Sequence, residues 1–268
     1  MSTALQIGNI RVVPLLDGSG MECAREVLRR NGETSAWDKH PEETDEHGDL
    51  HLTLGGYLVL TGDRVVLVDA GVGTIDNGRY RGGLFLESLR REGYEPSDVT
   101  DVAFTHLHFD HVGWATQKGE VVFDNATHHV HAEDWGFFVE DVNSDPGAVR
   151  KLTPLESRLQ AFERSSTLAP GIDARPAVGH TPGSTAYVVS DGGETLVLLG
   201  DIAHHPLELI EDGWSFRFDQ SKEVAMNSRK ELVDEFSDTA ALVAAGHFPD
   251  LRPGRLRTVD GALTWHTI

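Results

Sequence analysis

Thr105-His106-Leu107-His108-Phe109-Asp110-His111 places four potential metal ligands inside six residues, directly after the apolar run Val102-Ala103-Phe104. An apolar run that stops at a polar cluster reads as a buried strand emptying into a loop. Three imidazoles and a carboxylate cannot all turn inward there without a partner, because burying unpaired polar groups costs ~2–7 kcal/mol apiece. A metal ion supplies that partner. Imidazole nitrogen mixed with carboxylate oxygen suits zinc first, then iron, cobalt, nickel or manganese, whereas calcium and magnesium prefer shells of oxygen alone. Four ligands this close together point in divergent directions, so one tetrahedral ion would use three of them poorly and two adjacent ions would use all four. That division puts His106 and His108 on one ion and Asp110 and His111 on the other.

Each ion still lacks ligands, and the chain supplies three candidates. Gly179-His180-Thr181-Pro182-Gly183 follows the extended run 174–178, and its glycines permit the tight backbone of a ligand loop. The apolar run 195–200 delivers Asp201, and the run 240–246 delivers His247. All three sit at the carboxyl end of an apolar run. The completed expectation is His106, His108 and His180 on one ion, Asp110, His111 and His247 on the other, and Asp201 bridging.

With Asp69, His106 to His111, His180, Asp201 and His247 in this order, the chain resembles the metallo-β-lactamase-fold hydrolase superfamily, whose five motifs these residues match. The match runs from about Leu52 to the end and leaves roughly the first fifty residues outside it. The resemblance implies an α/β fold, the αββα sandwich of two mixed sheets with outer helices. It implies two Zn2+ ions as cofactors, with iron, manganese or cobalt as alternatives. It also implies that Asp69 buttresses the metal loop; the plainer reading is a turn residue before Gly71 and Gly73.

Such a site predicts a dinuclear metal-dependent hydrolase, a metal-bridging hydroxide attacking an electrophilic carbonyl or phosphoryl centre, with Asp110 as proton shuttle. The loop 105–113 with Trp114, then 179–183 and Gly200-Asp201, looks like the branch holding N-acyl-homoserine lactonases, 4-pyridoxolactonase and methyl parathion hydrolase. Homoserine lactonases of the best-known group carry a Tyr three residues after the bridging Asp, where this chain has His204. A histidine there can donate to a developing oxyanion, or it can be a rim residue without catalytic effect. The departure shifts the expectation toward the parathion-hydrolase side. Opening of a small lactone or cleavage of an ester leads; phosphotriester or thioester hydrolysis is the alternative, and a mononuclear-iron oxidoreductase such as a persulfide dioxygenase is the alternative of another class.

Composition bounds the partners. The 268 residues carry 39% apolar and 25% charged side chains, ordinary for a globular chain, and 23 basic against 43 acidic residues give a net charge of −20. Such a balance repels phosphate backbones and anionic membranes, so a small-molecule substrate is expected, with no nucleic acid and no membrane. No run approaches membrane-spanning length, Met1 to Pro14 lacks a signal-peptide core, and the lone Cys23 fits a reducing cytoplasm.

The order of elements repeats. Runs at 57–60 and 65–68 form a hairpin before Asp69, then come a helix at about 83–92 and a strand at 99–104 ending near His106. Runs at 187–190 and 195–199 form a hairpin before Asp201, then a helix at about 222–236 and a strand at 240–245 ending near His247. Neither half completes a metal site alone, so 1–268 reads as a single domain with two facing sheets covered by helices. Between 17 and 50 the sequence is polar and turn-rich, without a strand of its own, and reads as a lid over the cleft or a homodimer contact. His128, His129 and His131 read as structural, Phe109 and Trp114 as core or cleft wall, and Arg252, Arg255 and Arg257 as an exposed strand face.

Overall fold

The structure, a computed structural model, describes residues 4–268. Its first sheet runs Leu5–Ile7, Ile10–Cys23, Asp49–Thr61, Arg64–Val68, Asp101–Ala103, Thr127–His131, Leu159–Phe162, with Tyr80–Arg81 alongside Ile10–Cys23. Pairing is antiparallel as far as Arg64–Val68 and parallel beyond it. The second sheet runs Ser166–Ala169, Ile172–Pro176, Thr185–Asp191, Glu194–Leu198, Leu242–Ala244, Gly254–Val259, Ala262–Thr267. Here only the pairing of Glu194–Leu198 with Leu242–Ala244 is parallel.

Period-two alternation sorts the side chains into layers. Val59, Val66, Val68 and Ala103 turn inward and pack with Tyr187, Val189, Leu196, Leu198 and Ala244 of the facing sheet. Leu58, Leu67 and Val102 turn outward against Phe85 and Leu89 of helix Phe85–Arg91. Val197 and Val243 turn outward beneath Leu232 of helix Lys222–Phe236. These strands are covered on both faces, which is why they read as unbroken apolar runs. The result is the expected αββα sandwich of two mixed sheets. Among the described residues no helix is long and apolar enough to cross a membrane.

The second-half helix occupies Lys222–Phe236, as the sequence predicts. Its first-half counterpart starts at Phe85 rather than near Gly83, because Gly83 takes a left-handed φ of 129° and the backbone N–H groups of both Gly83 and Phe85 are held by Asp17 Oδ1.

The expectation that residues 17–50 hold no strand is wrong. Strand Ile10–Cys23 passes straight through Asp17 and pairs with Asp49–Thr61 along its length, and Leu28–Arg30 pairs with Trp214–Phe216. A register shift between Leu16 and Gly18 breaks the alternation that would have revealed the strand. Gly18 is required there, since a Cβ would lie 1.8 Å from the Arg81 carbonyl oxygen. The rest of the segment packs: Trp37, Val27 and Leu28 join Leu50, Leu52, Trp214 and Phe216 in a separate apolar cluster, and Trp37 Nε1 donates to Leu28 O at 2.8 Å. Strand Ile10–Cys23 thus belongs to the sandwich, while Leu28–Arg30 forms a separate two-stranded sheet with Trp214–Phe216.

Candidate metal centre

Arg64–Val68, Asp101–Ala103, Glu194–Leu198 and Leu242–Ala244 end at the same rim of the sandwich, and their last residues lead into Asp69, Thr105, Asp201 and His247. Asp69, at a left-handed φ of 63°, turns its carboxylate back into the ligand loop. It accepts the Thr105 N–H and hydroxyl, each at 2.8 Å, and His111 Nδ1 at 2.8 Å. One buried acid therefore fixes both ends of the loop, the buttressing place expected of it.

The structure brings all seven expected ligands together in two groups: His106, His108, His180 and Asp201, and Asp110, His111 and His247, with the donor atoms of each group within 4.8 Å of one another. In the first group His108 Nδ1 lies 2.9 Å from His106 Nε2 and 3.0 Å from His180 Nε2. Asp201 Oδ2 lies 3.7 Å from His106 Nε2 and 3.5 Å from His180 Nε2. Asp201 Oδ1 faces the second group, 3.1 Å from both His111 Nε2 and His247 Nε2. Asp110 Oδ2 is 3.5 Å from His247 Nε2. His247 Nε2 lies almost as close to Asp201 Oδ2, at 3.2 Å, so this single carboxylate stands between the two groups and touches both.

The donor chemistry fits cations. His180 Nδ1 donates to Asp219 Oδ1 at 3.0 Å, His247 Nδ1 to Thr53 O at 3.0 Å, and His111 Nδ1 to Asp69. The Thr105 hydroxyl spends its proton on Asp69, so His106 Nδ1 donates to it at 3.1 Å. With the outer nitrogens acting as donors, the inner Nε2 atoms keep lone pairs aimed at one another. Buried His111 Nε2 and Asp201 Oδ1 have no hydrogen-bond partner at all. Ligand atoms ~2.0–2.1 Å from a tetrahedral zinc lie about 3.3 Å apart, and the first-group separations straddle that value.

Charge separates the groups further. Burial, and then the neighbouring imidazole His111, pushes His106 well below its usual range; burial with His180 pushes His108 down to about 3. Burial also opposes charge on His111 and His247, but Asp201 outweighs it and raises both. Asp201 is held well below the usual carboxylate range despite its burial, by His247, His111, His204 and His106.

His204, expected as an oxyanion donor or a rim residue, is buried beside Asp201, its Nε2 3.3 Å from Asp201 Oδ2. Its ring stacks on Phe216 at 3.5 Å, and its Nδ1 lies 3.5 Å from Glu208 Oε2. Glu208 accepts the His204 and His205 backbone N–H groups at 2.6 and 3.1 Å and forms a buried ion pair with Arg229 at 2.5 Å. His204 does not line the open cleft.

That cleft, about 460 Å³, has His108, Asp110, His180, Asp201 and His247 at its floor and Leu52, Tyr80, Phe109, Phe216 and Phe218 as walls. Tyr80 meets Phe109 edge-on at 5.4 Å while its hydroxyl donates to Glu22. Of the two residues read as core or cleft wall, Phe109 is wall and Trp114 is core, its Nε1 donating to Asp17 at 3.0 Å. His129 binds Asp101 at 2.9 Å, His131 caps helix Ala132–Trp135, and Arg255 and Arg257 lie on strand Gly254–Val259. Sequence reasoning missed Tyr80, Phe216, Arg217 and Phe218. The alternation Trp214-Ser215-Phe216-Arg217-Phe218 was the available signal of a short strand with an aromatic face.

Comparison with known proteins agrees with this geometry. The chain is 26% identical over 216 residues to an N-acyl homoserine lactonase of Bacillus cereus, an alignment covering 74% of this chain and 82% of that one. Two solved structures share the fold. AidC, a dizinc quorum-quenching lactonase in complex with a product, superposes with a TM-score of 0.85 at 24% identity, covering 98% of this chain and 96% of that one. The hydrolase AbOPH superposes at 0.86 and 24% identity, covering 100% and 97%. The sequence description of the metallo-beta-lactamase superfamily matches residues 56–247, the stretch that carries all seven candidate ligands, and the chain belongs to that superfamily.

Proposed function

We propose that the protein is a dinuclear, zinc-dependent hydrolase that opens a small lactone or cleaves an ester. The observation that carries this reading is the position of Asp201 between the two groups, with Oδ2 facing His106 and His180, Oδ1 facing His111, and His247 Nε2 within 3.1–3.2 Å of both oxygens. Residues placed this way would hold two divalent cations, which polarise a carbonyl or phosphoryl oxygen and bring the pKa of water toward ~7. The name of the Bacillus cereus relative supports a lactone or ester as substrate.

The chain's own residues supply the rest. Asp110, half-buried at the cleft floor, takes a proton from the attacking water on its carboxylate and returns it to the leaving oxygen. Phe109, Tyr80, Phe216 and Phe218 exclude bulk water and favour a substrate with an apolar body. His204 acts from behind: packed between Phe216 and Glu208, it fixes the orientation of Asp201. Completeness of the second group favours two ions over the single iron of an oxidoreductase.

The test is a turnover panel of lactones, aryl esters, thioesters and phosphotriesters on the zinc-loaded protein. Lactone or ester turnover well above the others is expected, and Asp201→Ala should lose metal and at least ~100-fold of activity together. Turnover confined to phosphotriesters would move the assignment to that class, and full turnover in Asp201→Ala would end it.

A further inference from the structure

The chain carries 43 acidic residues against 23 basic ones, yet the sole lysine or arginine lining the metal cleft is Arg217. It stands on the rim between Phe216 and Phe218, with its guanidinium 5.6 Å from the Phe218 ring centroid. Its backbone is anchored, the N–H donating to Val27 O at 2.7 Å, but its side chain makes no ion pair and no hydrogen bond among the described residues. Arg217 also lines a second depression of about 390 Å³, which opens beside the cleft and holds Arg29 and Lys222, with Glu26 as its single acid.

The three cations differ from their neighbours. On the same stretch of chain Arg25 is paired with Asp38 at 2.5 Å and Arg30 with Glu211 at 3.0 Å, whereas Arg29 between them has no carboxylate partner. Lys222 has none either. The acids nearest the rim are engaged: Asp219 accepts from His180 Nδ1 and the Phe216 N–H, and Asp110 and Asp201 belong to the ligand groups. A cluster of unneutralised cations on a strongly acidic molecule creates a local field of opposite sign at the mouth of the cleft. A planar guanidinium lying by an aromatic ring keeps its donor edge free for a carboxylate or phosphate.

Resting on the hydrolase reading, we infer that Arg217, backed by Lys222 and Arg29, forms an anion-binding subsite at the cleft mouth. The preferred substrate then carries an anionic group on the part that does not react. Its reacting carbonyl lies at the cleft floor, its apolar body between the phenylalanines, and its anionic oxygens on Arg217.

The test uses phenyl ketones, which cannot be hydrolysed, ending in methyl, carboxylate or phosphate, beside the matching phenyl esters. The anionic ketones should bind about tenfold tighter than the methyl-ended one at low salt, with the advantage shrinking as salt rises. Arg217→Glu should abolish that advantage, and Lys222→Glu should reduce it. Arg217 is exposed, so both variants are first shown by thermal melting to fold as the parent does. The tighter of the two anionic ketones identifies the source of the anion. Equal binding of charged and neutral ketones, or an advantage that survives in Arg217→Glu, would overturn the subsite. Hydrolysis of the esters with no charge preference would remove the subsite and leave the hydrolase reading. Charge-selective ketone binding with no ester hydrolysed would do the reverse.

Discussion

His128 is a buried imidazole that the site does not use. It lies on the strand Thr127–His131, wholly inaccessible, with neither ring nitrogen hydrogen-bonded and the ring parallel to Phe104 at 6.2 Å. Burial, then His129 and Arg158, lowers its pKa to about 4. The folded state therefore refuses a proton that the unfolded chain accepts below about 6.5. Its contribution is intact above that value and declines as pH falls toward 4, by up to about 3 kcal/mol. Urea titrations of His128→Leu from pH 7 to pH 4 should show a markedly flatter loss of stability than the parent; identical profiles would remove the explanation. At this scale the ligands were legible because their chemistry resides in residue type and spacing. Tyr80 was not, since it reaches the cleft only through tertiary contacts that no local pattern encodes.

Among the elements, strand Ile10–Cys23 was hidden and yet organises its surroundings. Asp17, inaccessible to solvent, accepts backbone N–H groups from Val72, Gly73, Gly83 and Phe85 and the indole N–H of Trp114, all at 2.8–3.0 Å. It ties the loop after Asp69, the start of helix Phe85–Arg91 and the residue following the ligand loop to one point. Removing the carboxylate strands five donors, four of them buried, each buried one costing ~1–3 kcal/mol before relaxation. Asp17→Ala should lose at least about 3 kcal/mol in chemical denaturation, and a loss below ~1 kcal/mol would contradict the hub. The strand escaped notice because polar residues, glycines and a register shift erased its alternation. Helix Lys222–Phe236 was plain because no glycine or proline interrupts it.

Across the whole molecule, the repeated order of hairpin, acid, helix, strand and histidine becomes two half-sandwiches whose strand ends meet at one rim. The equivalent acids diverge in a way the sequence does not disclose. Asp69 itself adopts the left-handed conformation and turns back to clamp the loop. In the second half Gly200 takes that conformation at φ 57°, leaving Asp201 free to face both imidazole groups. Because His106, His108, Asp110 and His111 come from one half and His180, Asp201 and His247 from the other, cations bound there would fasten the halves together. Zinc at a thousandfold excess over its Kd should therefore raise stability by ~4 kcal/mol for each site filled, read as a higher melting temperature that a chelator reverses. No change on chelation of the loaded protein would show that the cations lie elsewhere. The most direct test of the central claim, that one carboxylate serves two cations, is a calorimetric zinc titration of metal-stripped protein beside Asp201→Ala. Two equivalents per chain are expected in the parent and at most one in the variant. One equivalent in the parent, or two in both, would contradict the account.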